Sequence, residues 1–152
     1  FRAFHSQCLY GKFLIVSGGI DKNNKLFHNF MNFNVEKKYW NQLTIQKMPE
    51  RLKLGFAKHN TLSVFHTRNT YSIYDNEEIT EYDPNIKEEG IYIYGGEDGN
   101  GEMIGEMCIM RLGEPSIVIE QLKIEGAPPI PRRNARMIRH KEYIILHGGR
   151  ND

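Results

Sequence analysis

The sequence has few cysteines and no long apolar run, and each shortage excludes a class of protein. It contains two cysteines, Cys8 and Cys108, in 152 residues. A small secreted domain stapled by disulfides would carry more cysteines in a shorter chain. We therefore predict two buried free thiols in a reducing, cytoplasmic compartment. The longest apolar runs, such as 13–16, are far too short to cross a bilayer, and no signal peptide is visible.

The chain also lacks an excess of charge of either sign. Lys and Arg total 20 and Asp and Glu total 19, so the formal net charge is +1. Binding to nucleic acid needs a clustered positive excess to replace the counterions of the phosphates. The composition therefore argues against a nucleic-acid partner. A hydrophobic fraction of 39% beside a charged fraction of 26% is typical of a folded globular protein.

What the sequence does contain is an internal repeat. Three short apolar runs, rich in β-branched and aromatic residues, each end in a glycine doublet, at Gly18–Gly19, Gly95–Gly96 and Gly148–Gly149. Runs of this length and composition predict buried strands. Glycine doublets suit places where φ is positive or where two backbones approach closely. A phosphate cradle would need a helix after the doublet, and the pattern predicts loops and strands there instead.

The residues downstream of the first two doublets stay in phase. Phe33 and Met110 each lie 14 residues past their doublet, and Trp40 and Ile117 each lie 21 residues past it. Strands are predicted on both sides of a polar turn in each copy. Their predicted ranges are 30–33, 39–44, 107–110 and 117–122.

The residues upstream of the doublets agree as well. Arg2 precedes Gly18 by 16 residues, and Arg132 precedes Gly148 by 16 residues. Arg51 follows Arg2 by 49 residues, close to a repeat period of roughly 50. We therefore take Arg51 as the start of the second copy, in which about 28 residues are inserted before the doublet.

Each copy is thus predicted to be four antiparallel strands, an inner pair that ends in the doublet followed by an outer pair. Such a sheet has two apolar faces and cannot bury both alone. Stacking the sheets radially buries each face against its neighbour, which is the propeller solution.

The run from Arg2 through the first doublet, Phe33 and Trp40 to Arg51 resembles a kelch repeat, in which an aromatic residue and then a Trp seven residues later follow the doublet. The resemblance implies an all-β fold, a kelch-type β-propeller fragment of antiparallel four-stranded blades. It is similar to long multi-blade kelch proteins of protists. Blade 1 is predicted at 2–46, blade 2 at 51–125 and the first hairpin of blade 3 at 132–152.

Two features of the sequence depart from the kelch pattern. Met110 and Ile117 stand where the family prefers Tyr and Trp, so aliphatic core contacts are expected there. Ala135 stands where the family has the histidine that His5 matches.

A closed ring has typically 4–8 blades. We therefore expect the native protein to be longer, or its open faces to be covered by partner sheets.

Five arginines are the main candidates for binding a partner. They fall in or near the loops that lead into the inner strands: Arg2, Arg51, Arg132, Arg133 and Arg136. Arginine suits bidentate capture of carboxylates, and the resemblance implies binding of acidic peptides on this rim. The alternative is that the arginines bond backbone carbonyls between blades. We favour that alternative for Arg2 and Arg51 and leave both interpretations open for the other three.

The insertion, predicted at 67–89, is acidic and carries Tyr71, Tyr74 and Tyr82. Two alternating stretches, 70–74 and 79–82, predict a small hairpin. It joins the first two strands of its copy and should lie on the rim opposite the arginines. A long loop on a rigid scaffold is often functional, and a solvated acidic loop is an equal alternative.

No catalytic, cofactor or metal site is predicted. The six histidines form no metal-ligand spacing, and His147 is expected to be buried in its strand. The loop after Asp98 fails the calcium pattern, because Met103 and Ile109 stand where Gly and Glu are needed. We predict a protein-binding scaffold. A kelch-like metal-dependent oxidase or lyase and an architectural part of a cytoskeletal or ciliary assembly are the alternatives.

Overall fold

The structure, a computed structural model, describes residues 1–64, 67–72, 77–82, 88–113 and 116–152. The chain is all-β, with one short helix in these residues, and none of its sheets closes on itself. The apolar runs before the glycine doublets are strands, as predicted. Among the described strands, every pairing is antiparallel except one.

The first sheet is formed by four consecutive strands in sequence order. They are β1 (Ser6–Tyr10), β2 (Phe13–Ser17), β3 (Phe30–Asn34) and β4 (Tyr39–Gln42). Side chains alternate between the two faces of a strand. In β3 this alternation buries Phe30 and Asn34 and leaves Phe33 half-buried on the opposite face.

The chain then leaves the first sheet sooner than predicted. The strand expected at 39–44 ends at Gln42, and the N–H of Leu43 donates to the carbonyl of Phe30. The next strand, β5 (Thr44–Lys47), joins the second sheet as the partner of its outermost strand in the one parallel pair. The helix α1 (Glu50–Lys53) follows Pro49, a residue tolerated where a helix begins.

The insertion contributes a hairpin of its own, made of β8 (Thr67–Ser72) and β9 (Glu77–Tyr82). The hairpin predicted at 70–74 and 79–82 is therefore present with shifted bounds, and residues 73–76 lie outside the described part. It belongs to residues 65–89, which replace the two-residue turn that joins β1 to β2 in the first sheet.

The second sheet repeats the antiparallel order of the first and adds β5 at its outer edge. Two short strands, β6 (Phe56–Ala57) and β11 (Glu97–Asp98), pair with each other beside it. The four antiparallel strands of the sheet are β7 (Asn60–Val64), β10 (Gly90–Tyr94), β12 (Met107–Leu112) and β13 (Ser116–Gln121). The sheet runs in the order β5, β13, β12, β10, β7.

A third antiparallel pair, β14 (Arg133–His140) and β15 (Tyr143–Arg150), packs against β7. It is the predicted inner hairpin of a third unit, with a two-residue turn at 141–142. The N–H of Met137 donates to Oδ1 of Asn60 at 2.8 Å, which ties the hairpin to the second sheet.

The main hydrophobic core lies between the facing sides of the two large sheets. It contains Ile15, Phe30, Phe56, Ile91, Ile93, Cys108, Met110, Ile117 and Ile119. Met110 and Ile117 are fully buried and have aliphatic neighbours, as expected. Trp40 is 53% exposed and packs on Phe33, since both lie on the opposite face of the first sheet. Trp40 is therefore not a core residue.

Candidate partner-binding rim

One end of the sheets, named here the arginine rim, collects the loops that hold the predicted arginines. It carries the leading loop before the first strand of each unit, the loop after each doublet and the linkers between units. The segments are 1–5, 18–29, 48–59, 95–106, 129–135 and 148–152. The turn at 11–12 and the insertion lie at the other end, because they follow the far ends of β1 and β7.

The glycine doublets join each unit to the next one. The N–H of Gly19 donates to the carbonyl of Phe56 at 2.7 Å, and the N–H of Gly96 donates to that of Arg132 at 2.9 Å. The first glycine of these two doublets has φ of 57° and 74°, and a Cβ there would collide with the same carbonyl oxygen. The doublets therefore serve close backbone packing, as the sequence predicted.

A second set of backbone bonds connects the leading loops. The N–H of Lys58 donates to the carbonyl of Phe4 at 2.9 Å, and the N–H of Asn134 donates to that of Lys58 at 2.8 Å. All three residues have positive φ, at 54°, 58° and 56°. This conformation is uncommon outside glycine, so the loops share one unusual backbone shape. The two successive junctions are built in the same way.

The strand register aligns the repeat differently from the arginine spacing. The first residues of β1 and β7 each pair with the residue that precedes their doublet. Arg2 lies four residues before the first residue of β1, and Phe56 lies four residues before the first residue of β7. The predicted equivalence of Arg51 with Arg2 is therefore wrong. The net insertion is also shorter than predicted, because it is confined to 65–89.

Arg2 bonds within its own unit. It donates to the carbonyl of Gly18 and to Oδ1 of Asn29, both at 2.8 Å. Its guanidinium lies 4.1 Å from the centre of the Phe27 ring, a cation–π distance. Burial lowers the pKa of Arg2. Arg2 therefore bonds a backbone carbonyl, as the favoured alternative expected, but within its own unit and not between blades.

Arg51 reaches a similar place from α1. Its guanidinium contacts Oδ2 of Asp98 at 2.9 Å, Oε1 of Glu106 at 3.1 Å and the carbonyl of Met103 at 2.9 Å. Burial alone would lower the pKa of Arg51, but the two carboxylates raise it. Burial would raise the pKa of Asp98, yet Arg51 and two backbone N–H groups of its own loop hold it below the ordinary value. Arg51 and Asp98 are thus engaged with each other.

Arg133 takes part in a charge cluster at the junction between the second sheet and the hairpin. It contacts Oε2 of Glu97 at 2.8 Å, and Lys58 contacts Oε1 of the same residue at 2.6 Å. Burial would raise the pKa of Glu97, but these two cations outweigh it and hold the pKa below its usual range. Arg133 therefore ties the leading loops together.

Arg132 and Arg136 are the arginines that offer most to an external partner. Arg132 is partly exposed and donates to the carbonyls of Ile130 at 3.0 Å and Gly148 at 3.1 Å. The contact with Gly148 repeats the one between Arg2 and Gly18. Arg136 is exposed, and in the part of the chain that the structure describes its side chain has no bonding partner.

His59 is a rim residue that the sequence interpretation missed. It is buried, its Nε2 lies 2.8 Å from Oγ of Ser17, and its ring packs edge-on against Phe56 at 4.7 Å between centroids. Burial lowers the pKa of His59 to about 3, so the ring is neutral. The signal was present, because the Ala-x-His pattern at 57–59 repeats the one at 3–5.

The remaining predicted residues are not brought together. His147 is exposed, contrary to prediction, because its face of the terminal hairpin has no sheet against it among the described residues. Tyr71 and Tyr82 lie in β8 and β9, and Tyr74 lies outside the described residues. Within the described ranges, no group of three His, Cys, Asp or Glu side chains is arranged to hold a metal, and no helix is long and apolar enough to span a membrane.

Both cysteines are free thiols, as predicted. Cys108 is buried, while Cys8 is half-buried rather than buried. Loss of solvent raises the pKa of both thiols, that of Cys108 to about 11. Neither is therefore an activated nucleophile.

A groove of about 500 Å³ opens on the arginine rim beside Arg51 and Glu106. Its lining also includes Lys123, Ile124 and the prolines Pro128, Pro129 and Pro131. Both signs of charge line the groove, and Arg51 and Glu106 are already bonded to each other. It therefore shows no preference for an acidic ligand.

Comparisons with known proteins leave the family open. No family model matches the chain, and no curated protein matches it. Among solved structures, one described as the structure of YjhT is similar over 97% of this chain and 59% of that chain, with 12% identity and a TM-score of 0.40. The chain thus spans less than two thirds of the length of that structure.

Proposed function

We propose that this chain is part of a kelch-type β-propeller that acts as a non-catalytic scaffold for other proteins, with the arginine rim as its binding surface. The observation that carries the proposal is the repeated junction. Gly19 to Phe56 and Gly96 to Arg132 are the same bond, one repeat apart. Units that each turn by the same step against the next are the design of a propeller.

Most charged side chains of the arginine rim are held in fixed positions by bonds within the chain. This rigidity supports a role of the rim in binding. Arg2, Arg51 and Arg133 are bonded within the chain and stiffen the loops. A rigid surface loses little conformational entropy when it binds a partner. Arg132 is partly exposed on the rim, where it donates to two backbone carbonyls, and Arg136 is exposed beside the rim, in β14. Guanidinium groups pair well with carboxylates. The partner class that fits is an acidic segment of another protein.

The free thiols Cys8 and Cys108 fit a reducing compartment. A cytoplasmic location is therefore part of this proposal. A role in a cytoskeletal or ciliary assembly remains a prediction from the kelch resemblance.

A direct test is the binding of a fluorescein-labelled oligoglutamate peptide, followed by anisotropy. The unmodified chain is expected to bind the peptide saturably and less tightly as salt is raised. The double variant Arg132→Glu, Arg136→Glu is expected to bind at least about tenfold more weakly, because two charge-assisted contacts become repulsive. Arg133 is left unchanged, since its loss would strip a counter-charge from Glu97.

The matched control is Lys12→Glu, Lys37→Glu, which makes the same charge change at the opposite end of the first sheet. Its affinity should stay within about twofold of the unmodified chain, since screening limits charge effects beyond roughly 10 Å. Equal losses in both double variants, or no binding at low salt, would contradict the proposed arginine rim. Circular dichroism of each variant verifies that the fold is retained.

A further inference from the structure

The linker from β13 to β14 contains half of the prolines of the chain. Of six prolines in the sequence, Pro128, Pro129 and Pro131 lie within four residues of one another. Residues 127–133, named here the proline segment, read Ala-Pro-Pro-Ile-Pro-Arg-Arg, and the described residues of this linker form no helix or strand. The first linker, between β4 and β7, holds a single proline outside its strands, Pro49. The repeat therefore does not require a proline-rich linker.

The prolines restrict the backbone of the proline segment to one conformation. A proline ring holds φ near −65°, and the residue before a proline is driven to an extended ψ. Ala127, Pro128 and Ile130 each precede a proline, so one or both restrictions act on every residue of 127–131. None of these five described residues has a positive φ. The restrictions together favour a polyproline II helix.

The spacing of the prolines determines which side chains lie together. A polyproline II helix has three residues per turn, so residues three apart share an edge. Pro128 and Pro131 share the first edge, Ala127 and Ile130 share the second, and Pro129 lies on the third. Two neighbouring edges are therefore apolar. A Pro-x-x-Pro segment of this kind is the form that the aromatic-lined grooves of SH3 domains bind.

The rest of the chain holds the proline segment in place through its backbone. The hydroxyl of Tyr94 lies 3.4 Å from the carbonyl oxygen of Pro129 and 3.3 Å from that of Ile130. Nearer β14, the N–H of Gly96 donates to the carbonyl of Arg132 at 2.9 Å. A segment that is already ordered loses little conformational entropy when it binds a partner.

The side chains of the proline segment are nevertheless accessible. Residues 123–131 are all exposed, and Ile130 is 61% exposed. The carbonyls of Arg132 and Phe56 accept the same junction bond, so Ile130 corresponds to Leu54 of the first linker. Leu54 is 56% exposed although the complete second sheet follows it. Exposure at this position is therefore a property of the linker and does not depend on the strands that follow.

Two arginines follow the last proline and give the proline segment a positive end. Arg132 is partly exposed, while Arg133 is bonded to Glu97. Guanidinium groups pair well with carboxylates. A groove that carries acidic side chains at one end therefore matches the proline segment in one orientation.

We propose that the proline segment is a docking site for an SH3-type domain, whose groove is lined by aromatic side chains and flanked by acidic ones. The edges that carry Pro128 and Ile130 lie in the groove of the partner, and Pro129 faces away from it. This site goes beyond the proposed function, because the partner there offers an acidic segment and here offers a groove.

Binding to purified SH3 domains, followed by biolayer interferometry, tests the proposal. A panel of SH3 domains with acidic residues beside the groove is immobilised, and the unmodified chain is the analyte. We expect saturable binding, and binding at least about tenfold weaker to a domain whose groove tryptophan is replaced by lysine. No binding to any domain of the panel, or equal binding to the substituted domain, would overturn the proposal.

The adjacent prolines provide a matched pair of variants. Pro128→Ala should weaken binding at least about tenfold, because it removes a ring from the bound edge, while Pro129→Ala should stay within about twofold. Both prolines are exposed, and each change releases one restricted φ, so any effect on the fold is shared. Circular dichroism verifies that both variants are folded. Equal losses of affinity in the two variants would contradict the proposed edge.

Two further measurements separate this inference from its alternatives. Tighter binding to a WW domain than to every SH3 domain would overturn the choice of partner. Oligoglutamate binding should be the same for Pro128→Ala and the unmodified chain, since Arg132 and Arg136 are retained in both. A chain that binds oligoglutamate but no SH3 domain would keep the proposed function and lose this inference, and the opposite result would do the reverse.

Discussion

The internal junction between the two large sheets and the two outer faces use the same repeat positions with opposite results. Ile15 and Ile145 are the same residue at the same place before a glycine doublet, yet Ile15 is 2% exposed and Ile145 is 44% exposed. His59 is buried, while His5, at the corresponding place in the first leading loop, is exposed. The place of a residue in the repeat therefore does not determine whether its side chain is buried. The neighbouring unit determines it, because one four-stranded sheet cannot cover its own faces.

The largest difference is expected when each isoleucine is truncated to alanine. Ile15→Ala should lower the free energy of unfolding by about 2–5 kcal/mol, because it leaves a cavity in a packed core. Ile145→Ala should cost less than about 1 kcal/mol, since an exposed side chain leaves no cavity. Urea unfolding followed by circular dichroism measures both. An equal loss for the two variants would mean that the faces are covered alike in solution.

The glycine doublets allow the close approach of two backbones at the junction to be tested. Gly95→Ala and Gly148→Ala both place a Cβ at positive φ, which costs about 1–2 kcal/mol each. Only the Gly95 variant also drives its Cβ against the carbonyl of Arg132. It should therefore be destabilised by about 1–3 kcal/mol more than the Gly148 variant, which is the range for overpacking. Thermal and urea unfolding of the matched pair provide the difference. A reversed order would refute the close approach at the junction.

The smallest effect is the pH dependence of stability that the buried His59 causes. His59 is neutral in the fold with a pKa of about 3, and its pKa in the unfolded chain is roughly 6.5. The unfolded chain therefore binds a proton first as pH falls. The stability contributed by neutral His59 is complete above roughly pH 6.5 and is lost toward about 3, at up to roughly 1.4 kcal/mol per pH unit.

The measurement is the free energy of unfolding between neutral pH and mildly acidic pH, above the range in which most carboxylates titrate. His59→Gln should flatten the loss of stability over this range, because it removes the buried ring that the unfolded chain protonates first. Ser17 and Phe56, the neighbours of the ring, are left unchanged. A variant whose profile keeps the slope of the unmodified chain would assign the pH dependence elsewhere.

The strands around the doublets were predictable because their signals are local. Apolar runs of β-branched and aromatic residues bounded by glycine favour strands, and the runs before Gly18, Gly95 and Gly148 are strands. The positive φ of the doublets was predictable for the same reason, since glycine alone adopts it without strain. The hairpin of the insertion followed from alternation over a few residues on each side of a turn.

The sequence pattern did not predict that β5 leaves the first sheet and pairs with the second. Residues 39–44 were predicted as one strand, and the break at Leu43 depends on which sheet edge the next residues meet. The place of Arg51 was also missed, because spacing alone matched it to Arg2. Its true role depends on Asp98, which is 47 residues away and held in place by its own turn.

Local signals were enough to predict the repeating unit, with its strands and its glycine doublets, because alternation and the backbone freedom of glycine act within a few residues. The unusual backbone of the leading loops, formed by Phe4, Lys58 and Asn134, could not be predicted in this way. Nor could the face of each unit that is covered, or the arginines that are bonded to internal carboxylates and carbonyls. Those outcomes depend on contacts between units, such as Ser17 with His59 and Arg133 with Glu97. Residues so far apart along the chain leave no local pattern that marks them as partners.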